Sequence, residues 1–94
     1  MEEIHYAIKV RGKVQGVWFR KYTKERADEF GIKGFVRNEL EDIVYIEAEG
    51  TRDSLNQFIE WLHEGSPLSK VAEVIFENRE YQHYTDFGIR KTKV

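Results

Sequence analysis

Apolar residues recur along the chain with two periods, and each change of period marks the boundary of a predicted element. Between Ile4 and Val10 every second residue is large and apolar, which predicts a half-buried strand that ends at Gly12. From about Trp18 the apolar residues are spaced three and four apart, and Gly31 follows where a left-handed C-terminal cap is expected. The chain therefore begins with a strand and continues into a helix.

The rest of the chain predicts a second helix and four more strands. The helix has Thr51 as its N-cap and ends at Gly65-Ser66-Pro67. Its apolar face is formed by residues at positions i, i+3, i+4 and i+7, namely Leu55, Phe58, Ile59 and Leu62. The strands are predicted over residues 32–38, 43–49 and 71–76 and around Phe87 and Ile89, with a four-residue hairpin connection between the first two.

The predicted order is β-α-β-β-α-β with a short final strand. Two helices on one face of a mainly antiparallel sheet form an α+β, ferredoxin-like sandwich. The 94 residues, 40% of them hydrophobic and 14% aromatic, are sufficient for one packed domain over residues 1–94. Because this fold carries enzymes, RNA-binding modules and regulatory modules alike, it leaves the function open.

The composition of the chain argues against several kinds of functional site. The chain contains no cysteine, which excludes disulfides, thiolate catalysis and cysteine-ligated zinc. The three histidines, His5, His63 and His83, lack metal-ligand spacing and are expected on the surfaces of strands or helices. The net charge of −2 disfavours non-specific nucleic-acid binding, and no apolar run reaches the length of a signal peptide or a membrane span. We therefore expect a cytoplasmic protein, monomeric by default, without nucleic-acid or membrane partners.

Candidate chemistry lies in the segment from Gly12 to Arg20, where two glycines four residues apart follow a strand and an arginine enters a helix. Backbone N–H groups in such a loop converge on an anion, and a guanidinium binds a tetrahedral oxyanion through two hydrogen bonds. The spacing alone also fits ordinary turn glycines and a solvated arginine. The candidate phosphate-binding residues are Gln15, Gly16, Val17, Trp18, Phe19 and Arg20.

This segment resembles the first signature of the acylphosphatase family, Gly-x-Val-Gln-Gly-Val-x-Phe-Arg, at every specified position, with Lys13 and Trp18 at the unspecified ones. The second signature, Gly-aromatic-Val-basic-Asn followed by Gly, Val and Gly at fixed intervals, is similar to residues 34–50 and has Asn38 in register. Asp42 stands where the family has glycine, in a turn where glycine supplies positive φ. The resemblance covers essentially the whole chain.

The resemblance implies an acylphosphatase, an enzyme that hydrolyses the carboxyl–phosphate bond of a small-molecule acyl phosphate without metal or cofactor. It implies that Arg20 and the loop N–H groups bind the phosphoryl oxygens and that the side chain of Asn38 orients the attacking water. Phosphoryl transfer requires mainly positioning and charge stabilisation, which such groups supply.

The alternative hypothesis is a non-catalytic ferredoxin-like module that binds phosphate or another ligand, as in the hydrogenase maturation proteins that begin with an acylphosphatase-like domain. An RNA-recognition module is disfavoured, because Tyr45 shares its strand face with acidic residues. Trp18 either walls the site or is partly buried against the domain edge, and Arg37 is expected to be a solvated surface charge.

Overall fold

The chain folds into five strands and two helices in the predicted order. The computed structural model describes residues 2–92. In chain order the elements are β1 (Glu3–Lys13), α1 (Phe19–Glu29), β2 (Lys33–Glu39), β3 (Ile43–Thr51), α2 (Arg52–Glu64), β4 (Lys70–Arg79) and β5 (Phe87–Ile89). Every predicted element is present, and only its boundaries have moved.

The five strands form one sheet in the order β4-β1-β3-β2-β5. Strand β1 lies antiparallel between β3 and β4, β2 is antiparallel to β3, and β5 is parallel to β2. Both helices pack on one face of this sheet. This arrangement confirms the predicted α+β, ferredoxin-like sandwich. Within residues 2–92 no helix has the length and apolar character needed to cross a membrane.

The core lies between the sheet and the two helices. Ile8 and Val10 of β1 and Ile46 of β3 are completely buried on the helix-facing side. The predicted apolar stripe of α2 packs against them, and burial of each such side chain contributes about 1.5–3 kcal/mol. Thr51 is the N-cap of α2 as predicted, because its hydroxyl accepts a hydrogen bond of 3.2 Å from the backbone N–H of Ser54.

Strand β1 continues through Gly12, so the prediction that it ends there is wrong. The register between β1 and β4 shifts between Arg11 and Gly12, which forms a bulge in the extended chain. A Cβ atom at Gly12 would overlap the carbonyl oxygen of Lys70, and one at Gly34 would overlap that of Glu47. Both glycines are therefore required by the close approach of neighbouring strands rather than by turns.

The connection between β2 and β3 is one residue shorter than predicted, because Glu39 belongs to β2. Both Glu41 and Asp42 have positive φ, 64° and 59° respectively. The structure thus confirms that Asp42 occupies a left-handed position, where glycine would have no Cβ penalty.

The sheet face opposite the helices is partly covered by the segment that joins β4 to β5. His5 lies under this cover and is only 1% exposed, so the expected surface position is wrong. Its Nδ1 is 2.7 Å from an Oε2 of Glu49, and its Nε2 is 2.9 Å from an Oε1 of Glu47. Tyr84 from the covering segment packs against the imidazole at 5.8 Å between ring centroids.

Arg37 also departs from its expected role as a solvated charge. It lies on this same face, where its guanidinium stacks 4.7 Å from the ring centroid of Tyr45 and 5.4 Å from that of Phe35. Its Nη2 donates a 3.0 Å hydrogen bond to the carboxylate of Glu39. Arg37 therefore has its partners within the fold and lies away from the helix-facing side.

Candidate active site

A cavity of about 430 Å³ opens where the loop between β1 and α1 meets the ends of β2 and β5. The loop supplies one wall, and α1 begins at its end, so the helix N-terminus faces into this region. The residues that line the cavity are Val14, Gly16, Trp18, Phe19, Arg20, Lys21, Asn38 and Ile89.

Two residues with left-handed backbone conformations shape the loop between β1 and α1. Gly16 has φ 71°, a conformation that carries no steric penalty for glycine. Trp18 has φ 61° and ψ 18°, a conformation that is rare for a residue with a large side chain. The side chain of Val17 points into the core, and its carbonyl oxygen accepts a 3.2 Å hydrogen bond from the buried hydroxyl of Ser66. Ser66 thus attaches the loop to the segment that follows α2.

Gln15 fixes the other side of the loop. Its Nε2 donates to the carbonyl oxygens of Glu39, at 2.6 Å, and Ile43, at 2.9 Å. These two carbonyls flank the hairpin connection, so the amide holds the end of β2 beside the loop. The sequence identified Gln15 as a candidate but did not indicate this role, because the partner carbonyls come from a separate part of the chain.

Arg20 lies in the first turn of α1 and is half-buried. Its Nη1 donates to the carbonyl oxygen of Arg90 at 3.3 Å, and the N–H of Arg90 donates to Val36 of β2 at 2.8 Å. Within residues 2–92 no carboxylate forms an ion pair with Arg20 or with its neighbour Lys21. The cavity therefore has positive charge that no described side chain neutralises, which favours an anionic ligand.

Asn38 reaches the cavity from β2, where it pairs with Val44 of β3. The residue is 9% exposed, and no group among residues 2–92 donates a hydrogen bond to its buried Oδ1. An amide oxygen that is buried without a donor costs free energy, roughly 1–3 kcal/mol. The position of Asn38 therefore suits a ligand or water that brings the missing donor.

The structure brings five of the predicted site residues to one cavity: Gly16, Trp18, Phe19, Arg20 and Asn38. Gln15 and Val17 do not line this cavity. The amide of Gln15 binds two carbonyls that flank the hairpin connection, and the side chain of Val17 lies in the core. Trp18 is 69% exposed, which excludes the alternative of a partly buried edge residue. The sequence missed three residues that line the cavity, Val14, Lys21 and Ile89, although Val14 lies within the motif itself. Lys21 directly follows the motif, whereas Ile89 arrives only through the parallel pairing of β5 with β2.

A larger cavity of 610 Å³ lies beside the ends of the two helices and is a weaker candidate. Its cation Arg26 is paired with Glu29 at 3.0 Å, and Glu64 adds a further carboxylate to the lining. These charges disfavour an anionic ligand there. In the described part of the chain no three His, Asp or Glu side chains are grouped so that they could hold a metal ion.

Comparison with known proteins assigns the chain to a family. The acylphosphatase family model matches residues 6–89. An acylphosphatase of Aliivibrio fischeri is 38% identical over 87 residues, which cover 93% of this chain and 97% of that protein. The solved structure of an acylphosphatase from Coxiella burnetii is 39% identical and superposes with a TM-score of 0.91, covering 94% of this chain and 93% of that one.

One further solved structure matches only in part of its length. A full-length HypF, in a phosphate- and nucleotide-bound form, has a TM-score of 0.90 and 32% identity, and the match covers 97% of this chain but 12% of that one. The shorter relatives, by contrast, match over nearly their whole length. The expected family and enzyme class are thereby confirmed, and the chain belongs to the acylphosphatase family.

Proposed function

We propose that this chain hydrolyses acyl phosphates to a carboxylate and inorganic phosphate in the cavity between the loop and β2. The observation that carries the proposal is the meeting of Arg20 and Asn38 in one cavity. Within residues 2–92 no carboxylate pairs with the guanidinium of Arg20, and no group donates to Oδ1 of Asn38. The guanidinium of Arg20 can bind the anionic phosphoryl oxygens, and the amide oxygen of Asn38 can accept a hydrogen bond from a water molecule.

The loop and Arg20 bind the phosphoryl group in this proposal. Gly16 and Trp18 both have left-handed backbone conformations, a geometry that supports an anion-binding loop of backbone N–H groups, and α1 adds the positive end of its dipole. The guanidinium supplies two parallel donors, which match two oxygens of a tetrahedral anion. Because these donors are held by Gln15, Ser66 and the fold, little reorganisation is required when charge develops on the phosphoryl oxygens.

Asn38 positions the attacking water. Its Oδ1 accepts one hydrogen of the water, which directs an oxygen lone pair toward phosphorus. An amide is too weak a base to remove the proton, so the proton passes to a phosphoryl oxygen of the substrate. The new O–P bond forms as the bond between phosphorus and the acyl oxygen breaks, and the carboxylate leaves with the bonding electron pair. A carboxylate is a good leaving group, so no protein nucleophile is needed.

The test is the hydrolysis of benzoyl phosphate in the presence of EDTA by the wild type, Arg20→Ala, Arg20→Lys and Asn38→Ala. We expect kcat/KM to fall on the order of 100- to 1000-fold in each alanine variant, as for the loss of one oriented hydrogen bond in the transition state. Arg20→Lys retains charge but not the paired donors, so it should remain well below the wild type. Matched controls are Arg26→Ala, at the other cavity, and Asn56→Ala, exposed on α2.

Three outcomes separate the hypotheses. Turnover that resists EDTA and collapses only in the Arg20 and Asn38 variants supports the proposal. A folded wild type that binds inorganic phosphate without turnover supports the non-catalytic binding module instead. Turnover that survives Asn38→Ala retains the enzyme but refutes the role given to the amide. Because no histidine or carboxylate acts in the proposed step, the rate should also be nearly constant across neutral pH.

A further inference from the structure

Trp18 combines two unfavourable features that packing does not explain. The residue is 69% exposed, so most of its large apolar surface is in contact with water. It also has φ 61°, a left-handed conformation that is strained for a bulky side chain and is typical of functional sites. Its side chain is absent from the apolar core, and the family signature leaves its position unspecified. The indole is therefore needed neither for the fold nor for phosphate binding in general.

The surroundings of Trp18 form an apolar rim beside the proposed phosphate site. Ile89 of β5 lines the same cavity and is 46% exposed. The ammonium of Lys21 lies 5.7 Å from the centroid of the Trp18 ring, which holds the indole near the cavity mouth by a cation–π interaction. Exposed apolar side chains that gather at the mouth of a cavity mark a binding surface.

We propose that Trp18 and Ile89 bind the acyl group and that Trp18 makes the site prefer acyl phosphates with a flat, aromatic acyl group over those with a small one. This inference rests on the proposed function. The acyl group is bonded directly to the phosphoryl group, so it must lie within a few ångströms of the loop. A phenyl ring stacks on an indole in an offset or edge-to-face arrangement, whereas a methyl group covers little of its surface.

Side-chain variants of Trp18 separate this role from phosphate binding, because every variant retains the backbone N–H. We propose measuring kcat/KM for benzoyl phosphate and for acetyl phosphate in the wild type, Trp18→Ala and Trp18→Phe. The quantity compared is the benzoyl-to-acetyl ratio relative to the wild type, in which the different intrinsic reactivities of the two substrates cancel. The control is Ile75→Ala, which truncates an apolar side chain that is 52% exposed on β4, outside the cavity.

We expect the ratio to fall about tenfold in Trp18→Ala, which is the discrimination that one aromatic contact provides. It should fall less than threefold in Trp18→Phe, since a phenyl ring retains a stacking surface, and it should stay unchanged in Ile75→Ala. A ratio that is unchanged in Trp18→Ala overturns the inference. A loss that is equal for both substrates also overturns it, because it would assign Trp18 to the loop conformation alone.

A binding measurement distinguishes failure of this inference from failure of the proposed function. Benzoylphosphonate and acetylphosphonate replace the cleavable oxygen by a direct carbon–phosphorus bond, so their dissociation constants can be measured whether or not the chain is catalytic. The wild type should bind the benzoyl compound about tenfold more tightly, and Trp18→Ala should lose that preference. Equal affinities in the wild type overturn the inference even if acyl phosphates are hydrolysed. If the wild type prefers benzoylphosphonate but hydrolyses no acyl phosphate, the role of Trp18 in binding the acyl group is retained and the proposed hydrolysis is refuted.

Discussion

Replacement of Glu49 by glutamine should lower the free energy of unfolding more than any other single change of charge on the sheet face opposite the helices. The Glu49 carboxylate is completely buried and accepts three hydrogen bonds. One comes from His5 Nδ1 at 2.7 Å, one from the backbone N–H of Gln82, and one from the backbone N–H of Tyr84 at 2.8 Å. The carboxylate thus joins β1 and β3 to the segment that covers them.

The expected loss in the free energy of unfolding follows from these three hydrogen bonds. Glutamine has the same shape but only one acceptor oxygen, so its NH₂ group must face either the N–H of Tyr84 or the donors on the other side. At least one buried donor then loses its partner, which costs about 1–3 kcal/mol. The hydrogen bond from the imidazole also weakens because its acceptor is no longer a charged carboxylate, and a hydrogen bond to a charged group contributes about 1.5–3 kcal/mol. Because the steric fit is retained, we expect a loss of about 3 kcal/mol, near the lower end of the sum of these two contributions.

The pH dependence of stability gives a second measure of the same interaction. Burial alone raises the pKa of Glu49, but the hydrogen bonds from His5, Gln82 and Tyr84 outweigh it, so the pKa lies below the ordinary value of 4.5. The folded state therefore binds the proton more weakly than the unfolded state does. The resulting stabilisation is fully present above pH 4.5 and is lost as the pH falls through the folded-state pKa. Glu49→Gln should remove this part of the acid destabilisation.

Urea unfolding followed by circular dichroism at pH 7 and at several values below pH 4.5 measures both effects. In thermal unfolding the same loss of about 3 kcal/mol should lower Tm by about 12–24 °C, since each kcal/mol shifts Tm by about 4–8 °C in a domain of this size. The control is Glu77→Gln, because Glu77 forms an exposed ion pair with Arg79 and should contribute at most about 1 kcal/mol. A loss below 1 kcal/mol for Glu49→Gln, or an acid limb identical to that of the wild type, would refute this account of the buried network.

Three further changes test other parts of the structure. Gly34→Ala should destabilise the fold by more than about 2 kcal/mol in urea unfolding, because its Cβ would overlap the carbonyl oxygen of Glu47; a loss below 1 kcal/mol would mean that the strands move apart readily. Asp42→Gly should stabilise by up to about 1 kcal/mol in the same assay, since Asp42 has φ 59°, and a loss would show that its side chain matters more than its backbone. Ser66→Ala should raise the dissociation constant for inorganic phosphate severalfold, because Val17 loses its hydrogen bond, and Ser66→Thr should restore binding in part; no change in either variant would contradict the positioning role.

The comparison of His5 with Thr51 shows where prediction from the sequence succeeds. Thr51 caps α2 through the N–H of Ser54, a contact between residues three apart, and the sequence predicted it. His5 lies within the first strand that the sequence predicted, but a surface position was expected and its burial was missed. That burial depends on Glu49, Gln82 and Tyr84, which are far away along the chain, and no local period signals such contacts.

In the candidate site, too, the sequence indicated what depends on local patterns and missed what depends on contacts between distant residues. The motif identified Arg20 and the loop residues, and the second signature identified Asn38, because both patterns are local. Neither pattern indicated that Gln15 would hold the hairpin through two carbonyls or that Ile89 would complete the cavity wall. These positions follow from the pairing of β2 with β3 and β5, which is a property of the assembled sheet.

The order of elements, the apolar faces that form the core and the family of the chain could all be read from the amino-acid sequence alone. Each of these depends on residue types at short spacing, where propensity, capping and amphipathic periodicity act directly. Three other properties became visible only in the folded chain: which polar groups are buried, which of the described charges lack a partner, and which side chains share a cavity. Those properties depend on distances between residues remote in sequence, and such distances are set only when the whole sheet has closed against its helices.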